Sequence, residues 1–238
     1  VASEMARWGV IIDDSAGRPL AHTGAGAFLC LLAEAADAQF APVPLLALLK
    51  HPFATLGGDP AMFREKARLL DRMALRGPRP DPGLAGIARA IAAAIAEARK
   101  QSDAKDGIAL AAWWSDVSAV LSPLEAAFAK AAIPLEDLIV RHLEAAQRLS
   151  CTDLQDCPVW RDTDGEAASV FFQNFRESAA GLPPFDPGAY AALLRGLAMK
   201  IPVRPRFNRH RAIAILGPLE ARLQSFDLTI LGGLNEGT

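Results

Sequence analysis

Arg204, Arg206, Asn208, Arg209, His210 and Arg211 place four guanidinium groups, an amide and an imidazole within eight positions. Guanidinium groups at this density suit phosphate oxygens, which they bind by charge-assisted hydrogen bonds. The chemistry on offer is therefore contact with a nucleic-acid backbone, and the alternative is a solvated basic linker. A second group lies at the end of the chain. Gly232, Gly233, Asn235, Glu236 and Gly237 follow the apolar run 228–231. They read as a loop at the carboxyl end of a strand, where open α/β sheets place ligands. Groups for covalent or metal chemistry are missing. Asp13 and Asp14 adjoin, but no carboxylate cluster with metal-ligand spacing accompanies them. There is no Gly-x-x-x-x-Gly-Lys-Ser/Thr loop, and no Ser/His/Asp or Cys/His pair at a strand–turn–helix elbow. No catalytic or metal-ligating residue is assigned.

The elements that must position these groups come from pattern. Short aliphatic runs at 10–12, 212–216 and 228–231, each beside glycine, read as buried strands. Between them the sequence is alanine-rich and helical in period. Helices are expected over 26–38, 42–49, 61–75, 83–100, 108–121, 122–132, 135–149, 165–180 and 188–200. Several starts are marked chemically. Thr23 or Gly24 precedes one, Asp59-Pro60 and Asp186-Pro187 open others, and Ser122-Pro123-Leu124-Glu125 has the form of a capping box. His142 is expected at the edge of an apolar face. Adjacent Trp113 and Trp114 point about 100° apart on a helix, so one can enter the core while the other packs at an edge or stacks on a base. The stripe Arg64, Glu65, Lys66, Arg68, Asp71 and Arg72 reads as a solvated face, and the proline-rich connector 77–82, with Arg76 just before it and Arg79 within it, offers a phosphate contact. Gly24-Ala25-Gly26 lacks the rest of a phosphate-loop pattern.

Composition sets bounds. Hydrophobic residues make up 51 % of 238 positions and the net charge is −2, so the chain can bury a full core and any DNA contact must come from a local patch. Cys30, Cys151 and Cys157 are read as reduced thiols. No uninterrupted apolar run reaches the ~18 residues of a membrane span, and no basic segment with an apolar stretch opens the chain as a secretory signal would. The expectation is a cytoplasmic protein.

The last thirty or so residues carry a resemblance. The segment GPLEARLQSFDLTILGGLNEGT, with residues from 207 onward, resembles the UvrD-like superfamily 1 helicases, and within them the AddB family of AddAB double-strand-break repair helicase–nucleases. In working motors Thr, His and an acid stand where this chain has Gly217, Leu219 and Ser225. Arg222 keeps a positive charge, and Phe226, Asp227, Gly233, Leu234, Glu236 and Gly237 keep the pattern. The resemblance implies a degenerate motor: α/β plus mainly α, with part of a RecA-like parallel-sheet domain in 1–25 and 205–238, interrupted by a larger helical insertion over 26–204. It implies an internal fragment of a longer subunit that scaffolds and channels single-stranded DNA. The implied partner is an AddA-like subunit that supplies ATP-driven translocation. Mg2+ and an iron–sulfur cluster would belong to a nuclease domain outside this chain. Two other readings stay open: a helical protein–protein interaction domain without DNA affinity, and an active ATP-dependent helicase fragment, against which the missing Thr, His and acid count.

Overall fold

The computed structural model describes residues 2–10, 13–14, 17–100, 105–151, 157–204, 213–222 and 224–230. Contacts divide the chain into two compact units: Val1–Gly17 with Arg204–Thr238, and Arg18–Val203.

The larger unit is helical. In chain order its helices are α2 (Gly24–Asp37), α3 (Pro42–Leu49), α4 (Pro60–Leu70), α5 (Leu84–Lys100), α6 (Lys105–Phe128), α7 (Leu135–Ser150), α8 (Asp162–Ala179) and α9 (Tyr190–Ala198). They pack around α2, which touches α3, α6, α7, α8 and α9. Ala25, Phe28, Leu29, Cys30, Leu32, Ala33, Ala35 and Ala36 of α2 are all buried, so this helix is apolar nearly all round, as a central helix must be. Leu45, Leu48, Leu138, Ile139, Leu149, Phe172 and Tyr190 close over it. Each fully buried Leu or Phe contributes about 1.5–3 kcal/mol of transfer free energy. A short antiparallel ladder between β2 (Arg18–Pro19) and β3 (Pro202–Val203) ties the two ends of the unit together, with Arg18 opposite Val203.

Local signals start several helices. The Thr23 hydroxyl oxygen accepts from Gly26 N at 3.2 Å, Asp59 accepts from Ala61 N at 2.8 Å, and Asp186 accepts from Gly188 N at 2.9 Å. Each satisfies one of the orphan amides of a helical first turn. Elsewhere tertiary packing overrules the local signal. The capping-box reading of Ser122–Glu125 fails: α6 runs through Pro123 without a break. Proline removes one helix donor, but Leu121 and Leu124 on either side of it are buried, and α6 packs against both α5 and α7. The Glu125 carboxylate accepts instead from Leu84 N at 2.7 Å, capping α5 from 41 residues away. The helix expected over 61–75 also changes form. It is α-helical to Leu70 and then a π turn over Asp71–Leu75.

The segment Asp106–Phe128 of α6 has a mean hydropathy of 1.2 over its most apolar window. Among the described residues it is the one helix long and apolar enough to cross a membrane by composition, with 39 % of that window buried. Its Leu110, Trp114, Val117, Leu121 and Leu124 belong to the core of the helical unit.

The smaller unit overturns the expected fold class. It holds α1 (Ala2–Arg7), β1 (Asp13–Asp14), β4 (Ala214–Ile215) and α10 (Pro218–Ala221). β1 and β4 pair in parallel over two residues each, and among the described residues no further strand joins them. The chain is mostly helical, and the described residues contain no RecA-like parallel sheet. A parallel sheet is stable when helices cover both its faces, whereas α1 has six residues and α10 four. The run read as a buried strand at 228–231 is uncovered: Leu228 is 77 % and Ile230 85 % exposed. Apolar β-branched sequence makes a strand only where neighbouring strands accept its hydrogen bonds, and here it has none among the described residues.

Candidate nucleic-acid interface

Of the basic cluster read from sequence, Arg204 follows β3 and is exposed. Arg206, Asn208, Arg209, His210 and Arg211 lie outside the described residues. Of the motif positions near the end, Gly217 precedes α10 and its carbonyl accepts from Ala221 N at 2.9 Å. Arg222 and Asp227 are exposed. Gly233, Glu236 and Gly237 lie outside the described residues. The structure thus brings no two of the predicted site residues into a common pocket among those described.

It shows a basic surface along the stripe expected as a solvated face. Between positions 50 and 89 stand Lys50, Arg64, Lys66, Arg68, Arg72, Arg76, Arg79 and Arg89, eight cations, against Asp59, Glu65, Asp71 and Asp81, four acids. The surplus is the opposite of the chain's net charge of −2. Asp71 is shared by two cations, Lys50 Nζ at 3.0 Å and Arg76 Nε at 3.3 Å. Hydrogen bonds from Arg76 and Lys50 hold its carboxyl below the usual range. Arg68 pairs with Glu65, and Arg89 Nη2 lies 2.9 Å from Asp81. Arg64, Lys66, Arg72 and Arg79 have no ion-pair partner among the described residues. Arg64 and Arg68 stand one turn apart on α4, Arg72 follows in the π turn, and Arg76 and Arg79 are exposed on the loop beyond. Counting charge in a window, rather than looking for paired charges along a helix face, would have found this patch from sequence.

Beside it lies a shallow cavity of about 260 Å³, lined by Leu56, Met62, Phe63, Lys66 and Trp113 among others. Met62 is exposed, and Trp113 meets Phe63 edge-on with ring centroids 5.1 Å apart. The two tryptophans divide their roles. Trp114 is buried, its indole N–H donating to the Leu84 carbonyl at 3.4 Å, while Trp113 is half-buried at the cavity wall. Trp113 and Lys66 at one cavity wall offer the pairing that single-stranded nucleic acid uses: stacking for a base, positive charge for the phosphate.

A larger cavity of about 790 Å³ is lined by Asp37, Gln39, Glu125, Phe128 and Asp186 with small residues. Asp37, Glu125 and Asp186 make this face acidic and unsuited to a phosphate backbone, and burial, then the neighbouring Asp186, push the Asp37 carboxyl up. The described residues do not fit the metal groups that the resemblance implies for the longer protein. Cys151 and Cys157, expected as reduced thiols, are joined in a disulfide with Cα atoms 5.2 Å apart, and Cys30 is buried and alone. Among the described residues no group of three or more His, Cys, Asp or Glu is arranged to hold a metal ion. The disulfide forms because the end of α7 and the turn before α8 meet, which residue spacing by itself does not reveal. No family model, curated protein or solved structure matches the chain.

Proposed function

We propose that this chain is a helical scaffold from an AddB-type subunit of a DNA double-strand-break repair helicase–nuclease, with a surface that contacts single-stranded DNA. The observation that carries the DNA contact is the set Arg64, Lys66, Arg72 and Arg79, without ion-pair partners among the described residues, in a region with twice as many cations as acids, with Lys66 at the wall of the Trp113 cavity. The repair assignment rests on the resemblance of residues 207–238. The scaffold positions the strand, and an AddA-like partner in the cytoplasm supplies ATP-driven movement. Nuclease chemistry, with its Mg2+ and iron–sulfur cluster, belongs to another domain of the longer protein. Nothing in the scaffold role requires a motor-domain sheet.

The test is fluorescence anisotropy with a labelled single-stranded oligonucleotide between about 50 and 200 mM salt. Wild type is compared with Arg64/Arg72/Arg79→Ala and, separately, with Arg206/Arg209/Arg211→Ala. Each phosphate contact on a single strand contributes about 0.7 to the slope of log K against log salt, so losing three flattens it by about 2. Affinity at low salt falls on the order of tenfold or more. A flatter slope in the first variant locates the interface on α4 and the loop after it; the same effect confined to the second moves it to the return segment. Absence of binding by wild type at the lowest salt, with helical circular dichroism intact, overturns the DNA reading and leaves a protein-interaction domain.

A further inference from the structure

The three cysteines of this chain fall into two kinds. Cys30 sits in α2, 2 % exposed. Burial pushes its thiol up to about 11, so it stays protonated and is a poor nucleophile. Cys151 and Cys157 are cross-linked, with a Cα separation of 5.2 Å that lies in the usual span for disulfides.

The cross-link occupies a junction. Cys151 caps the C-terminus of α7, its N–H donating to the Gln147 carbonyl. Cys157 opens the 3-10 turn Pro158–Trp160, whose next residue, Arg161, is the N-cap of α8. That turn is pressed against α8: a Cβ added at Gly165 would lie 2.2 Å from the Trp160 carbonyl carbon. The adjacent Asp164 accepts from Gly24 N at 3.1 Å, so the start of α8 also holds the start of α2. Cross-link, turn, α8 and the first turn of α2 are therefore connected in series.

The surroundings suit the open form as well as the closed one. The Gln147 carbonyl oxygen lies 3.1 Å from Cys151 Sγ and 4.0 Å from Cys157 Sγ. When the bond opens, one S–H finds an acceptor without rearrangement, on the lone pair of the Gln147 carbonyl that the Cys151 N–H leaves open. The sequence separation is 6, so the loop closes at small entropic cost.

We propose that Cys151 and Cys157 form a reversible redox staple, closed by a small disulfide such as oxidised glutathione and opened by a dithiol, that sets the stability of the α7–α8 junction. In closing, one cysteine thiolate attacks a sulfur of oxidised glutathione and expels a glutathione thiolate, leaving a mixed disulfide. The second cysteine thiolate attacks the protein sulfur of that mixed disulfide and expels the second glutathione thiolate. The two cysteines lose two electrons, glutathione disulfide gains them, and the two cysteine protons pass to the departing thiolates through solvent.

The full chain is equilibrated with oxidised glutathione or with dithiothreitol. Each sample is alkylated under denaturing conditions, digested and weighed by mass spectrometry, and its Tm is recorded in parallel. The expected result is a cross-linked peptide joining positions 151 and 157 in the oxidised sample and alkylation of both in the reduced one. The Tm is expected about 5 °C lower on reduction. The shift persists in Cys30→Ala and vanishes in Cys151→Ser/Cys157→Ser. Cys157→Ala alone, which keeps Cys151 and its Gln147 acceptor, serves if the double variant does not fold. Failure to form the cross-linked peptide, or a Tm that ignores redox state, overturns the proposal. No arm uses DNA, so the outcome is independent of the proposed DNA contact.

Discussion

His142→Ala lowers the stability of the helical unit by about 4 kcal/mol, read as a drop in urea midpoint with an unchanged slope. His142 lies on α7, fully buried, with rings of Phe172 and Tyr190 packed edge-on against it at 5.6 and 5.5 Å. Its two nitrogens are both engaged. Nε2 lies 3.0 Å from the Leu29 carbonyl, which can only accept, so Nε2 carries the proton. Nδ1 therefore accepts from the Tyr190 hydroxyl at 2.8 Å. Alanine leaves a cavity the size of an imidazole and orphans the buried Tyr190 hydroxyl, while the Leu29 carbonyl, inside α2, keeps its helical partner. A small change, under about 1 kcal/mol, would show that α7 collapses onto α2 and that the hydrogen-bond chain contributes little.

The same residue makes wild-type stability depend on pH in a definite direction. Burial lowers the His142 pKa to about 4, against the partial opposition of the Leu29 carbonyl. The unfolded chain titrates near 6.5. Between those values the unfolded state binds the extra proton, so stability falls as pH drops from about 6.5 to about 4. The loss from His142 is about 3 kcal/mol at 1.36 kcal/mol per pH unit. His51, also lowered to about 4 by burial, adds to the slope in the same sense. The difference between wild type and His142→Ala isolates the His142 share: the variant's curve is flatter across this window. Parallel curves would refute the assignment of that slope to His142.

Gly26→Ala is the second large effect, about 3 kcal/mol and about 10 °C in Tm for the helical unit. Alanine is the better helix former by about 1 kcal/mol, so propensity alone predicts the opposite sign. Packing decides. A Cβ on Gly26 would stand 1.8 Å from the Leu20 carbonyl oxygen. That oxygen also accepts from the Thr23 hydroxyl at 2.8 Å, and Leu20 N donates to the Ile201 carbonyl at 2.8 Å. Moving Leu20 out of the way disturbs the α2 cap and the β2–β3 closure together. A neutral or stabilised Gly26→Ala would mean the turn before α2 shifts freely.

Gly26 also illustrates what reading residues in order reveals. Gly24-Ala25-Gly26 has the look of a phosphate loop, and the sequence shows only that it lacks the rest of that motif. Its reason is steric, a backbone approach between residues 20 and 26 that no spacing rule encodes. The basic patch tells the reverse story. Its charges are plain in the sequence, but as a stripe along one helix they read only as a solvated face. The structure assigns Asp71 to Lys50 and Arg76, from outside α4, and Arg64, Lys66 and Arg72 have no ion-pair partner among the described residues.

By itself the sequence determined the helices and many of their first turns, because 3.6-residue periodicity and an Asx or Thr cap act within a few residues of where they stand. Asp59-Pro60 and Asp186-Pro187 are such cases, and their capping bonds form as local chemistry requires. Tertiary structure alone decided four things. It carried α6 through Pro123, sent Glu125 to cap α5, closed Cys151 on Cys157 and buried His142 between α2 and α9. Among the described residues the parallel pairing stops at two residues per strand. Helix hydrogen bonds close within one segment, whereas a parallel strand depends on partners and covering helices far along the chain. The aliphatic run at 228–231 announces a strand, and among the described residues it has neither.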